Sequence, residues 1–87
     1  MRTLQAYVES KNKWRAIFKN APWDLNSATD RQRIAETIDC ELSPENLTCD
    51  GELSNTEVQA RYKQLTTAAK QLIELDPSLR QYIYEMH

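Results

Sequence analysis

Eighty-seven residues with one glycine, three prolines and 28% charged side chains make one small domain, with no room for a second core. No apolar run reaches the roughly 18 residues that span a membrane, and no apolar–polar alternation marks a strand. The net charge of −2 hides a division: Arg2, Lys11, Lys13, Arg15 and Lys19 face only Glu9 over residues 1–20, whereas residues 21–60 set nine acids against Arg31 and Arg33.

The N-terminus, Met1-Arg2-Thr3-Leu4-Gln5, lacks the apolar stretch of a secretory leader. The cytoplasm is therefore the expected compartment. Cys40 and Cys49 are expected as reduced thiols, Cys40 in the core and Cys49 in a loop.

Thr3 is placed to cap a first helix running to about Asn20, which Ala21-Pro22-Trp23 ends. At about 100° per residue, Leu4, Tyr7, Val8, Trp14 and Phe18 share one arc, with Ile17 at its edge. Lys11 falls within that arc and Arg15 beside it. Either their long stems lie along the core and reach water, or part of this face is exposed and binds a partner.

Ser27 caps a second helix over about 28–39, with Ile34, Ala35 and Ile38 as its apolar stripe. Ser43-Pro44-Glu45 starts one further turn, and Asp50-Gly51 reverses the chain. Ser54 and Glu57 form a capping box for a third helix, with Leu53 and Val58 as its hydrophobic staple. Val58, Tyr62, Leu65, Ala69 and Leu72 recur at spacings of four and three, widened by Ala68, Ile73 and Leu75. Asp76-Pro77 stops this helix and caps the next, whose apolar face is Leu79, Tyr82, Ile83 and Met86. The expected fold is an all-α single domain over 1–87, a small bundle of three principal helices plus a short C-terminal helix.

Little in this pattern carries catalysis. The one histidine, His87, is terminal, no nucleophile has a base at recognisable spacing, and a single glycine makes no phosphate loop. No enzyme and no cofactor are expected. Cys40, Cys49 and His87 lack zinc spacing. The segment Arg31-Gln32-Arg33-Ile34-Ala35-Glu36 has a helix-turn-helix flavour, but Glu45 in the would-be reading helix repels phosphate. Nucleic-acid binding stands as an alternative.

Residues 46–57, Asn-Leu-Thr-Cys-Asp-Gly-Glu-Leu-Ser-Asn-Thr-Glu, resemble an EF-hand calcium loop. The resemblance implies oxygen ligands from Asn46, Thr48, Asp50, Ser54 and Glu57, the Glu52 carbonyl, and a sharp turn at Gly51. Only Asp50 and Glu57 bring charge as side-chain ligands. Pro44 interrupts the incoming helix, and no second loop is present to pair. A calcium protein is therefore the second alternative, and no bound metal is expected.

The chain also resembles, in style, the small helical accessory proteins of phages and mobile elements, through Ser43–Leu53 and the helix ending Leu75-Asp76-Pro77. That resemblance implies a non-enzymatic protein that binds a larger host or defence complex and inhibits it by covering a surface. The expected contact residues are Tyr7, Lys11, Trp14, Arg15 and Lys19, on the basic and aromatic face of the first helix, with Trp23 nearby.

Overall fold

The computed structural model describes residues 2–84. Their elements, in order, are α1 (Arg2–Ile17), α2 (Ala28–Leu42), α3 (Pro44–Leu47), α4 (Asn55–Leu75) and a 3-10 helix (Pro77–Tyr82). No strand occurs among the described residues, and the fold is an all-α bundle of small size. Met86 and His87 lie outside the described residues.

The local signals act where expected. Ser27 Oγ accepts the Asp30 N–H at 3.3 Å and opens α2. Ser54 Oγ accepts the Glu57 N–H at 3.3 Å, while Glu57 Oε1 accepts the Ser54 N–H at 3.2 Å, so both halves of the capping box form. Pro44 sits at the start of α3. Asp76 Oδ1 accepts from the Ser78 N–H at 3.3 Å and from its hydroxyl at 2.6 Å. The segment it caps is a 3-10 helix rather than the expected α-helix. Leu79 and Ile83, four apart, still reach the core.

α4 is the central element and packs against α1, α2, α3 and the 3-10 helix. The core joins Leu4, Tyr7 and Val8 of α1, Ile34, Ala35, Ile38 and Leu42 of α2, Leu65, Ala68, Ala69 and Leu72 of α4, and Leu79 with Ile83. Ala68 and Ala69 are fully buried, and their small size lets the neighbouring helices approach α4 closely. The extents of 35 × 32 × 20 Å describe a slab about two helix diameters thick.

Several expectations are corrected. Helix α1 is already helical at Arg2, so Thr3 is not its cap. Instead the Leu4 N–H, otherwise an orphan of the first turn, donates to Gln71 Oε1 of α4 at 2.8 Å. Helix α2 continues to Leu42, because Leu42 is buried and Pro44 sets the stop. Cys40 is exposed, as is Cys49. Tyr62 and Leu75, expected in the α4 stripe, are 49% and 43% exposed. Trp14, Ile17 and Phe18, on the α1 arc for which a covered and an exposed reading both stood open, lie outside the core.

The exposure of that last turn follows from where α4 lies. Leu4 meets Gln71, and Tyr7 and Lys11 share a cavity wall with Arg61 and Leu65, so α1 runs antiparallel to α4. The α1 residues of the core end at Val8, although an apolar arc continues beyond it.

Candidate protein-contact surface

Helix α1 ends in a Schellman turn. The Asn20 N–H donates to Arg15 O at 2.8 Å and the Lys19 N–H to Ala16 O at 3.0 Å, with Lys19 at φ 59°. A glycine usually holds this left-handed position. The following segment is tied back to the helix by Asn12. Its Oδ1 accepts the Trp23 N–H at 2.7 Å and its Nδ2 donates to Trp23 O at 3.2 Å.

The six residues expected as contacts divide. Tyr7 is buried, and its hydroxyl donates to Glu41 Oε2 at 2.7 Å. It presents no surface to a partner. Lys11 pairs with Glu41 Oε1 and lies 5.5 Å from the Tyr7 ring centroid. Arg15 donates from Nε to Ala21 O at 2.8 Å and stacks 4.9 Å from the Trp23 ring centroid. Trp23 is half-buried against the core, and its Nε1 is shut off from solvent without a hydrogen-bond partner. Lys11 within the apolar arc and Arg15 beside it are thus both engaged within the chain. Trp14 is 61% exposed, and Lys19 is exposed.

Two residues missed by sequence reasoning complete a surface with Trp14. Ile17 and Phe18 are 67% and 68% exposed. Positions 14, 17 and 18 are helical neighbours, so these side chains stand together. Exposed Lys13 and Lys19 flank them. A signal was present in the sequence: three large apolar residues crowd positions 14–18, within a few residues of the Ala21-Pro22 stop.

A second feature lies beside this strip. A cavity of about 140 Å³ is lined by Tyr7, Ser10 and Lys11 of α1, Glu41 of α2, and Arg61, Gln64 and Leu65 of α4. Burial, then the hydrogen bond to Glu41 and the charge of that carboxylate, push the Tyr7 hydroxyl well above its ordinary value, against the opposing pull of Arg61. The hydroxyl therefore remains a donor.

The loop resembling an EF-hand uses its oxygens otherwise. Thr48 Oγ1 donates to Pro44 O at 2.8 Å, Asn46 belongs to α3 and donates to Cys40 O at 2.9 Å, and Ser54 and Glu57 are held in the capping box. Cys49, Asp50 and Gly51 all have positive φ. Among the described residues no group of three or more His, Cys, Asp or Glu side chains is gathered for a metal. None of the described helices is long and apolar enough to cross a membrane. No protein family, curated protein or solved structure matches the chain.

Proposed function

We propose that this chain is a non-enzymatic protein-binding modulator whose contact surface is the end of α1: Trp14, Ile17 and Phe18, rimmed by Lys13 and Lys19. The observation that carries this reading is the exposure of three adjacent large apolar side chains, each above 60%. Elsewhere α1 buries its apolar residues Leu4, Tyr7 and Val8. Contiguous exposed apolar groups with a polar rim are the mark of an interaction site, and aromatic residues supply most binding hot spots. The surplus of bases over residues 1–20 suits a partner whose apolar groove is edged by carboxylates. Inhibition of a host or defence complex by surface occlusion is the form of this reading that the resemblance to phage accessory proteins supports. Exposed, unpaired Cys40 and Cys49 suit a reducing compartment such as the cytoplasm.

The test is the double substitution Trp14→Ala with Phe18→Ala. Neither side chain is in the core, so the thermal midpoint should stay nearly unchanged. Loss of hot-spot contacts of about 2 kcal/mol or more should weaken partner binding roughly thirtyfold or further. A double variant that captures the same proteins as the wild type at the same strength would sink the proposal. Lysines beside exposed aromatics also suit single-stranded nucleic acid. Oligonucleotide binding that falls steeply with salt and disappears in the same variant would favour that alternative.

A further inference from the structure

Cys40 closes α2 and Cys49 follows α3, yet both thiols converge on Asn46. Asn46 Nδ2 donates to Cys40 Sγ at 3.4 Å, and the Cys49 thiol reaches Asn46 O at 3.8 Å. One asparagine residue thus stands between the two sulfurs. Both cysteines are free and exposed, so a small oxidant in water has access to each. Neither belongs to the core, so neither is held in place by packing.

A disulfide needs its Cα atoms within about 7 Å of each other. The segment that carries Cys49 can adjust toward that spacing at small cost. Helix α3 contributes no buried residue, and Asn46 is exposed. The Asn46 amide also donates to Cys40 O at 2.9 Å. That carbonyl keeps the Ser43 hydroxyl at 2.8 Å and the Ser43 N–H at 3.2 Å if the amide turns to water. Cys49 sits at φ 50°, a left-handed conformation that an L-residue holds under strain, so moving its backbone gives up nothing favourable.

We propose that Cys40 and Cys49 are a redox-sensitive pair, reduced in the conformation described and joined by a disulfide when the chain meets a small-molecule disulfide such as oxidised glutathione. One cysteine thiolate attacks the glutathione disulfide, forms a mixed disulfide and expels one glutathione thiolate. The other cysteine thiolate then attacks the protein sulfur of that mixed disulfide and expels the second glutathione. The protein loses two electrons and two protons, and the glutathione disulfide takes them up as two thiols. The new bond staples α3 to the last turn of α2, beside Glu41, which holds Tyr7 and Lys11 of α1. It lies outside the Trp14, Ile17 and Phe18 strip and does not rest on the protein-binding reading.

The experiment equilibrates the full chain, without oxygen and at fixed pH, in buffers of graded reduced and oxidised glutathione. Acid stops the exchange, and mass spectrometry counts the species. The same series is run in urea above the unfolding midpoint. The folded chain already gathers the two thiols, whereas the unfolded chain must close the loop between them at an entropic cost. The equilibrium constant for the internal disulfide should therefore be at least tenfold greater in the folded chain, seen as a monomer two protons lighter. C40S and C49S should each stop at one bound glutathione. A folded-state constant less than tenfold above that in urea overturns the proposal, because the fold then does not bring the thiols together. Accumulation of chains carrying two glutathiones, or of disulfide-linked dimers, in place of the internal bond overturns it too. Where a serine variant fails to fold, the comparison of wild-type chain in buffer and in urea decides alone.

Discussion

Tyr7 sits in the core yet carries the hydroxyl that ties α1 to the last turn of α2 through Glu41. Its raised pKa has a consequence for stability. Below the ordinary tyrosine value of 10.0, folded and unfolded chains both keep the proton, and the stabilisation is fully present. Above it, the unfolded chain releases a proton that the folded chain holds, so stability falls as pH rises. Tyr7→Phe should cost about 1.5–3 kcal/mol at neutral pH, the loss of a hydrogen bond to a charged acceptor, and should flatten the decline above about pH 10. Urea unfolding of both proteins across that range measures this, and an equal alkaline loss in the variant would assign the effect elsewhere. Lys19 is a different case. The left-handed conformation costs an L-residue roughly 1–2 kcal/mol, and glycine's extra freedom in the unfolded chain offsets part of the relief. Lys19→Gly should therefore stabilise the protein by about 0.5–1 kcal/mol, seen as a higher thermal midpoint. A lower midpoint would show that the lysine side chain makes a contact worth more than the strain.

Among the elements, α4 was the most legible, because its signals are local and repeated. The capping box, the spacing of Leu65, Ala69 and Leu72, and the Asp76-Pro77 stop all lie within it or one residue beyond. Its buried stripe is narrower than its apolar spacing. Tyr62 obeys the same spacing as Leu65 but is half exposed. Periodicity names a face, and only the neighbouring helices decide how much of that face is covered. Leu72→Ala should cost about 2–5 kcal/mol through lost transfer energy and a cavity left in the core it shares with Ile34 and Ile38. Tyr62→Ala should cost under about 1 kcal/mol. Denaturant midpoints measured on the pair check this. Equal losses would mean that the lower end of α4 is more deeply packed than its exposure shows. Helix α1 was least legible at its ends. The Leu4 N–H of its first turn is satisfied by Gln71, which lies 67 residues away, so no local reading finds it. Its last turn looks like core by composition and projects past the end of the packing.

Across the whole molecule, the basic first helix meets the acidic middle of the chain at one place above all, where Lys11 pairs with Glu41. Lys11→Glu would set two carboxylates together beside the half-buried Arg61. It should destabilise the domain by more than about 1 kcal/mol, beyond what an exposed ion pair is worth. A thermal midpoint unchanged in that variant would show that Lys11 serves the surface instead of the fold. The strip of Trp14, Ile17 and Phe18 should behave in the opposite way, with binding lost and folding kept. The sequence by itself determined what depends on near neighbours along the chain: the absence of strands among the described residues, the caps at Ser27, Ser54 and Asp76, the order of the helices and most of the α4 core. Those follow from backbone hydrogen bonding within a few residues and from helical period. The tertiary structure alone decided which apolar residues are covered and which cations are already paired. Trp14 and Tyr7 lie on one arc, and only the placement of α4 buries one and leaves the other in water. Lys11 and Arg61 carry the same charge, and only the approach of α2 gives Glu41 to Lys11 and leaves the Arg61 Nε unmatched, because burial and charge pairing depend on distance in space and not along the chain.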